Sequence, residues 1–311
     1  MLLSILIPSY NEEGNIIELN KRITESLKNI DYEIIYIDDG SKDKTLEKIK
    51  QVAKDHDFIK YISFSKNFGK DAAIYAGLKK STGYYTCIID SDLQQNPKYI
   101  IEMLSYIKKH KEINQIAMVM KDRNNESFFT KKMKNIFYKL INKLSDIELV
   151  NGASDFRLFD ISVKKSILSL SEKNRFTKGI FSWIGFNTIY MEYEVEQRYS
   201  GKSKFNFKKN IKYALTGITN YSIKPLYISS IIGFIISIIS LIYIIIIVFK
   251  TLLLGKDIPG YASIMVLILL MGGLQLLFIG ILGTYLGKTY IEVKNRPMYI
   301  QKETKGFDEI L

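Results

Sequence analysis

The sequence predicts an α/β protein built on a parallel sheet, followed by a juxtamembrane amphipathic helix and two transmembrane helices. Three observations carry this reading. Over residues 1–122, short Ile/Val/Tyr-rich runs alternate with longer segments of helical period, the pattern of parallel strands joined by crossover helices. Polar residues gather where the runs end, at Ser9–Glu12, Asp38–Ser41, Ser65–Lys70 and Asp90–Gln94. In an open α/β sheet that edge is where ligands bind. Finally, Leu226–Phe249 and Tyr261–Leu286 carry no charge at all. Each exceeds the roughly 20 residues that a helix needs to cross a hydrocarbon core.

The elements follow in order. Strands are expected at Leu3–Ile7, Glu33–Ile37, Ile59–Phe64, Tyr84–Ile89 and Ile116–Met120, with helices at Glu12–Lys28, Thr45–Lys54, Asp71–Lys80 and Tyr99–Lys109. Ser41 and Asn67 fall at expected caps or turns, and Gly83 and Pro97 punctuate the later connections. From Phe128 to Leu144, Phe129, Met133, Ile136, Phe137, Leu140, Ile141 and Leu144 form an amphipathic stripe among lysines. It packs either on the sheet or on a bilayer surface. Lys204–Tyr221 is amphipathic as well and runs directly into the first uncharged segment, which favours an interfacial position. The expected division is a globular domain at 1–203, an interfacial helix at 204–224, a two-helix region at 225–287 with spans near 225–249 and 261–286, and a tail at 288–311.

Lys208, Lys209, Lys212 and Lys224 precede the first span and Lys288, Lys294 and Arg296 follow the second, whereas the loop between holds Lys250, Lys256 and Asp257. The positive-inside bias puts both large flanks in the cytoplasm, at the inner membrane. Met1–Pro8 is too short an apolar run for a signal peptide and reads as a core strand. The formal charge of +12 raises the question of nucleic acid, but lysine is spread along the whole chain. Basic residues crowded beside the spans suit anionic lipid better, so no nucleic-acid partner is expected. One cysteine, Cys87, and two scattered histidines, His56 and His110, exclude a disulfide framework and disfavour a structural zinc site.

The chemistry concentrates at the polar edge. In Cys87–Gln94 an apolar strand runs out into Asp90 and Asp92, and side chains at i and i+2 of an extended segment point to one side. Two carboxylates there suit Mg²⁺ or Mn²⁺, which complete their shell with substrate phosphates. Tyr10 offers an aromatic face for a base, and Asp39 or Glu12 could accept hydrogen bonds from base or ribose. No Gly-x-Gly-x-x-Gly follows the first strand, which disfavours a dinucleotide fold. Gly201-Lys202-Ser203 imitates the end of a P-loop, but Glu196 stands where the earlier glycine is required.

Pro8-Ser9-Tyr10-Asn11-Glu12, Asp38-Asp39-Gly40-Ser41 and Asp90-Ser91-Asp92-Leu93-Gln94 resemble the motifs of family 2 glycosyltransferases of the GT-A fold. Asn67-Phe68-Gly69-Lys70-Asp71 and the paired C-terminal spans narrow the resemblance to enzymes similar to dolichyl-phosphate mannose synthases and bactoprenol glucosyltransferases. It covers nearly the whole chain. The resemblance implies that Pro8, Tyr10, Glu12, Ile37 and Asp39 hold the nucleotide of a sugar donor, and that Asp90, Asp92 and Gln94 hold the metal with the diphosphate. Arg198-Tyr199-Ser200-Gly201-Lys202-Ser203-Lys204 matches an Arg-x-x-Gly-x-Ser-Lys segment, implying acceptor-phosphate contacts from Arg198 and Lys204. Arg123 resembles a further phosphate-binding arginine; where another arginine often stands three residues earlier, this chain has Met120. Asp155, in Ala153–Leu158, resembles the candidate catalytic base. A phosphate monoester has its second pKa near ~6, so an acceptor phosphate is already largely deprotonated and Asp155 is expected to orient as much as to remove a proton.

The expected activity is inverting transfer of a hexose from a nucleotide diphosphosugar to polyprenyl phosphate. By resemblance to bactoprenol glucosyltransferases UDP-glucose leads among donors, ahead of GDP-mannose, a UDP-N-acetylhexosamine or an aminoarabinose derivative. A processive polysaccharide synthase would carry Gln-x-x-Arg-Trp, whereas the single tryptophan, Trp183, lies in Phe-Ser-Trp-Ile-Gly. A noncatalytic nucleotide-sugar scaffold would not need both carboxylates and the basic segment. Relatives of this kind form homo-oligomers, and the residues alone leave that state open.

Overall fold

The structure, a computed structural model, describes residues 1–121, 139, 142–145, 147–196, 216–254 and 260–307. The first half alternates as β1 (Leu3–Ser9), α1 (Ile16–Ser26), β2 (Tyr32–Asp38), α2 (Thr45–Ala53), β3 (Ile59–Phe64), α3 (Lys70–Lys80), β4 (Tyr85–Ile88), α4 (Lys98–Lys109) and β5 (Gln115–Met120). There follow β6 (Ala153–Asp160), α5 (Ile161–Ser169), α6 (Thr177–Trp183), β7 (Thr188–Tyr193), α7 (Lys224–Leu254), α8 (Tyr261–Val293) and β8 (Gln301–Lys305). All five strands expected in the first half are present, each within two residues of its expected ends. The first helix begins at Ile16 rather than Glu12, because the Glu12 and Glu13 N–H groups donate to Thr45 Oγ1 (2.8 Å) and Asp43 Oδ2 (3.2 Å) instead of entering a helix.

Among the described residues, eight strands form one mixed sheet in the order β7-β5-β6-β4-β1-β2-β3-β8. The four strands β4, β1, β2 and β3 are mutually parallel, and β6 enters antiparallel between β4 and β5. Side chains that alternate along each strand feed two cores. Leu3, Ile5 and Ile7 of β1 cluster with Ile16, Leu19 and Ile23 of α1, Ile49 of α2 and Met103 of α4. On the opposite face Leu6 joins Ile35, Ile37, Ala73 and Ile74 of α3, Val163 of α5 and Phe181 of α6. Each fully buried Leu or Ile contributes roughly 1.5–3 kcal/mol, so the two cores hold the strand ends in fixed relation. Because β1 and β2 pair in parallel with Ser9 opposite Asp38, their polar ends emerge at one level.

Two helices dominate the C-terminal third. α7 and α8 have 31 and 33 residues, and within them Lys224–Lys250 and Leu270–Val293 have mean hydropathies of 3.2 and 1.6 with none of the most apolar stretch buried. Both are long and apolar enough to cross a membrane. Of the amphipathic stripe at 128–144, Lys139 and Asn142–Leu144 are described and are helical; the rest lies outside the described residues. Residues 216–221, at the end of the second amphipathic segment, are helical too. The tail does more than trail away. After α8 the chain returns to the sheet, where β8 pairs antiparallel with β3 and Tyr299 stacks on Phe64 with ring centroids 4.8 Å apart. Lys50 and Glu303 form an ion pair of 2.8 Å alongside, and Lys305 donates to the Ala53 carbonyl.

Candidate active site

The loops after β1 and β2 are laced together. Asn11 N–H donates to Ser41 Oγ (3.0 Å), Lys42 N–H to Asn11 Oδ1 (2.9 Å), and Asp39 N–H to the Ser9 carbonyl (2.9 Å). These bonds bring Pro8, Tyr10, Glu12, Ile37 and Asp39, all expected at the nucleotide edge, into one continuous rim. Ile37 is fully buried and Tyr10 half-buried. Asp39 Oδ1 and Oδ2 accept the N–H groups of Phe68 (2.6 Å) and Gly69 (2.9 Å), so this carboxylate also shapes the loop after β3. Burial pushes the Asp39 carboxyl above its ordinary value, opposed by those two N–H groups and reinforced by neighbouring Asp38. Gly40 has φ +64°, and a Cβ there would come within 2.4 Å of the Lys66 carbonyl carbon. Only glycine fits the turn while letting the two loops touch.

The Asp90–Gln95 turn leaves β4 beside this rim. Ser91 Oγ donates to the Pro8 carbonyl (3.2 Å), tying it to β1. Gln95 clasps Asp90 twice, accepting its backbone N–H at 2.8 Å and donating Nε2 to Asp90 Oδ2 at 3.1 Å. Leu93 sits at φ +60°, a left-handed conformation unusual for a leucine, and its side chain is buried at 1% exposure. That apolar anchor lets the chain reverse between Asp92 and Gln94. Gln94 N–H donates to Asp92 Oδ1 (3.2 Å), and Gln94 exchanges backbone contact with Glu196, whose N–H reaches the Gln94 carbonyl at 3.1 Å. Glu196 is further held by Asn96 Nδ2 (2.5 Å) and Arg22 Nη1 (2.8 Å). It stands two residues before Arg198.

The centre of the site is a charge cluster. β6 runs antiparallel to β4 with Arg157 opposite Ile88, and extending that register by two residues sets Asp155 against Asp90. One ammonium bridges them: Lys70 Nζ lies 2.5 Å from Asp90 Oδ1 and 2.7 Å from Asp155 Oδ2. Desolvation opposes charge on Lys70, but Asp155 and Asp90 outweigh it and hold the lysine protonated above its ordinary range. Burial likewise opposes ionisation of Asp155, yet Lys70 and then Lys178 hold its carboxyl well below the usual carboxylate range. Lys178 donates to the Ala153 carbonyl at 2.8 Å, and burial lowers its pKa against the pull of Asp155. Asp71, beside Lys70 at the start of α3, accepts from the Thr177 N–H (3.1 Å) and hydroxyl.

The strand-end pair, the rim of loops after β1 and β2, and Asp155 therefore share one edge of the sheet. Arg123, Arg198 and Lys204 lie outside the described residues. Lys70, Gln95, Lys178 and Glu196 also belong to the site by their contacts, and of these only Lys70 fell within a motif singled out in the sequence. A divalent cation fits the donor set: Asp90 Oδ1 already holds a cationic group, and two carboxylates with a neighbouring amide leave the rest of a hard ion's shell to phosphate oxygens. Among the described residues there is no group of three or more His, Cys, Asp or Glu that would bind such an ion by protein ligands alone.

Comparison with known proteins agrees with this fold. The family model described as glycosyl transferase family 2 matches residues 4–168. The chain is 39% identical over 308 residues to the uncharacterized glycosyltransferase sll0501 of Synechocystis sp. (strain ATCC 27184 / PCC 6803 / Kazusa), covering 98% of this chain and 96% of that one. It is 38% identical to the prophage bactoprenol glucosyl transferase homolog of Escherichia coli (strain K12), over 98% of this chain and 100% of the relative. Against the bactoprenol glucosyl transferase of Shigella phage SfV the identity is again 38%, with 98% and 99% covered. Among solved structures, glucosyl-3-phosphoglycerate synthase from Mycobacterium tuberculosis, in complex with Mn²⁺, UDP and phosphoglyceric acid, has a TM-score of 0.50 at 16% identity, over 70% of this chain and 76% of that one. The sheet is that of the GT-A fold, and with the family match over more than half its length the chain belongs to glycosyl transferase family 2.

Proposed function

We propose that this glycosyltransferase moves a hexose from a nucleotide diphosphosugar, UDP-glucose by preference, to polyprenyl phosphate at the cytoplasmic face of the inner membrane. The observation that carries the reading is the Lys70 bridge between Asp90 and Asp155, set beside the nucleotide rim in a chain that adds two long apolar helices. The names of the relatives support bactoprenol as acceptor and glucose as the sugar.

In this reading Tyr10, Glu12 and Asp39 meet the base and ribose, with Pro8 and Ile37 shaping the floor. Asp90, Asp92 and Gln94 would hold Mg²⁺ or Mn²⁺. When bound, the metal supplies Lewis-acid neutralisation of the departing diphosphate. Lys70 adds a fixed positive charge at the same place, aimed by its two carboxylates. Asp155 stays ionised between Lys70 and Lys178, so it orients the sugar or acceptor through hydrogen bonds and is a poor proton acceptor at neutral pH. An acceptor phosphate oxygen forms the new bond to the anomeric carbon while the bond to the nucleoside diphosphate breaks on the opposite face, inverting the centre. Arg198, Lys204 and Arg123 grip the acceptor phosphate, arginine by a bidentate fork and lysine as a point charge. The lipid tail remains in the bilayer beside α7 and α8.

The test is purified full-length protein with undecaprenyl phosphate, Mg²⁺ or Mn²⁺, and a panel of labelled nucleotide sugars. Glucose appearing in an organic-extractable lipid of the expected mass supports the reading; transfer confined to a different sugar replaces the donor, and no lipid product with any donor removes the acceptor assignment.

A further inference from the structure

One run of six residues joins the end of α8 to the charge cluster. At its first end Glu292, in the last turn of α8, accepts the N–H of Lys173 through both carboxylate oxygens (2.9 and 3.0 Å) and the N–H of Asn174 at 2.9 Å. A carboxylate gathering two backbone donors makes charge-assisted bonds, the stronger kind. Asn174 and Asn220 then exchange amide contacts, Asn174 Nδ2 to Asn220 Oδ1 at 3.1 Å and Asn220 Nδ2 to the Asn174 carbonyl at 2.8 Å. Lys288, one helical turn before Glu292, donates to Asn220 Oδ1 at 2.5 Å and to the Thr216 carbonyl at 3.3 Å. The α8 end thus holds both the run and the helix at 216–221.

The other end of the run faces the chemistry. Arg175 is 7% exposed, donates to the carbonyls of Ile167 (3.0 Å) and Leu170 (2.6 Å), and lies 4.3 Å over the Tyr75 ring of α3. Thr177 donates to Asp71, the neighbour of Lys70. Lys178 reaches the Ala153 carbonyl and shares the field of Asp155. With Arg175, Phe176 and Thr177 buried, this mutually bonded segment moves as a unit, because each bond lost on displacement leaves a desolvated polar group.

We infer that Glu292 is a positioning residue for sugar transfer: by clasping Lys173 and Asn174 it sets Lys178 and the Lys70–Asp71 turn against Asp155, so the site is aligned only when the end of α8 is docked. The inference rests on the proposed transfer reaction. It gives α8 a task beyond anchoring, since a shift of the helix end would be passed through six residues to the carboxylate that orients the substrate.

The experiment uses full-length protein in lipid nanodiscs and compares Glu292→Ala with Glu292→Gln, whose amide oxygen still accepts. Transfer from UDP-glucose to undecaprenyl phosphate should fall about tenfold or more in Glu292→Ala and recover largely in Glu292→Gln, while UDP–Mn²⁺ affinity measured by calorimetry stays within about threefold. Backbone hydrogen exchange supplies the second readout. In Glu292→Ala, amides from Lys173 through Lys178 and in the first turn of α3 should exchange about tenfold faster, with those of α4 unchanged. Faster exchange confined to Lys173 and Asn174, or unimpaired transfer by Glu292→Ala, would overturn the inference. A wild-type protein without transferase activity would count against the sugar-transfer reading instead, and the exchange pattern would then decide the clasp by the same criterion.

Discussion

Lys70 Nζ and Asp155 Oδ2 stand 2.7 Å apart, joining residues 85 positions distant in the chain beside Asp90 at the end of β4. The ion pair sets the charge state of the site. Replacing Lys70 by Met should lower transfer on the order of 10²-fold, the usual cost of losing one aimed electrostatic group. It should also let the Asp155 carboxyl rise toward its ordinary value, since Lys70 is the main charge holding it down. Carboxyl carbon NMR titration of Asp155 that reads no higher a pKa in Lys70→Met than in the wild type would contradict this.

Asp92→Asn should remove metal-dependent transfer, by roughly 10²–10³-fold, with little change in thermal midpoint because Asp92 sits at the rim and outside both cores. Chelation of the wild-type protein should have the same effect, reversed by Mg²⁺ or Mn²⁺. Binding of Mn²⁺ followed by electron paramagnetic resonance separates the two causes: undiminished Mn²⁺ binding by Asp92→Asn would remove that residue from the metal site.

The pH dependence follows from the sign of the Asp155 shift. A carboxyl held low in the folded state contributes its stabilisation fully above the ordinary carboxylate value near ~3.9, and that contribution is lost as pH falls through the depressed value. Between about pH 5 and 8 Asp155 therefore does not titrate. The rise of rate with pH should instead track the second ionisation of the acceptor phosphate, near ~6. Asp155→Asn is expected to lower the plateau without moving that limb; a limb that vanishes in this variant would restore Asp155 as the base.

Gly40→Ala should destabilise the domain by about 1–3 kcal/mol, combining a left-handed φ with a methyl group driven into the Lys66 backbone. Because the same contact holds the Asn67–Lys70 loop that Asp39 shapes, donor affinity should fall together with stability. Urea unfolding and UDP calorimetry on the one variant read both effects, and a loss of stability with unchanged UDP affinity would uncouple the loops.

Much of the fold was legible where residues bury themselves in a simple period. β1 to β5 read clearly because Ile, Val and Tyr runs are what a two-sided sheet requires. β6 is harder to see, since Asp155 and Arg157 interrupt its apolar face for the sake of the site. β8, Gln-Lys-Glu-Thr-Lys, contains no hydrophobic residue; an edge strand held by backbone pairing and by Lys50 and Lys305 has no pattern to display. The site divides in the same way. Asp90, Asp92 and Asp39 announce themselves by local spacing, whereas Lys70 and Lys178 acquire meaning only once the order β6-β4-β1 brings distant segments side by side. Leu93 gave no sign of its left-handed backbone, because that conformation is imposed by burial of its side chain within the turn.

The pairing of β8 with β3 has a consequence for how the molecule is made. Residues 301–305 leave the ribosome after both apolar helices, so the outer edge of β3 has no partner until those helices have been synthesised. An unpaired edge is where sheets join the wrong neighbour. Closure of that edge of the sheet therefore waits on a strand that follows both apolar helices in the chain. A copy interrupted before Gln301 is left with an open edge on β3.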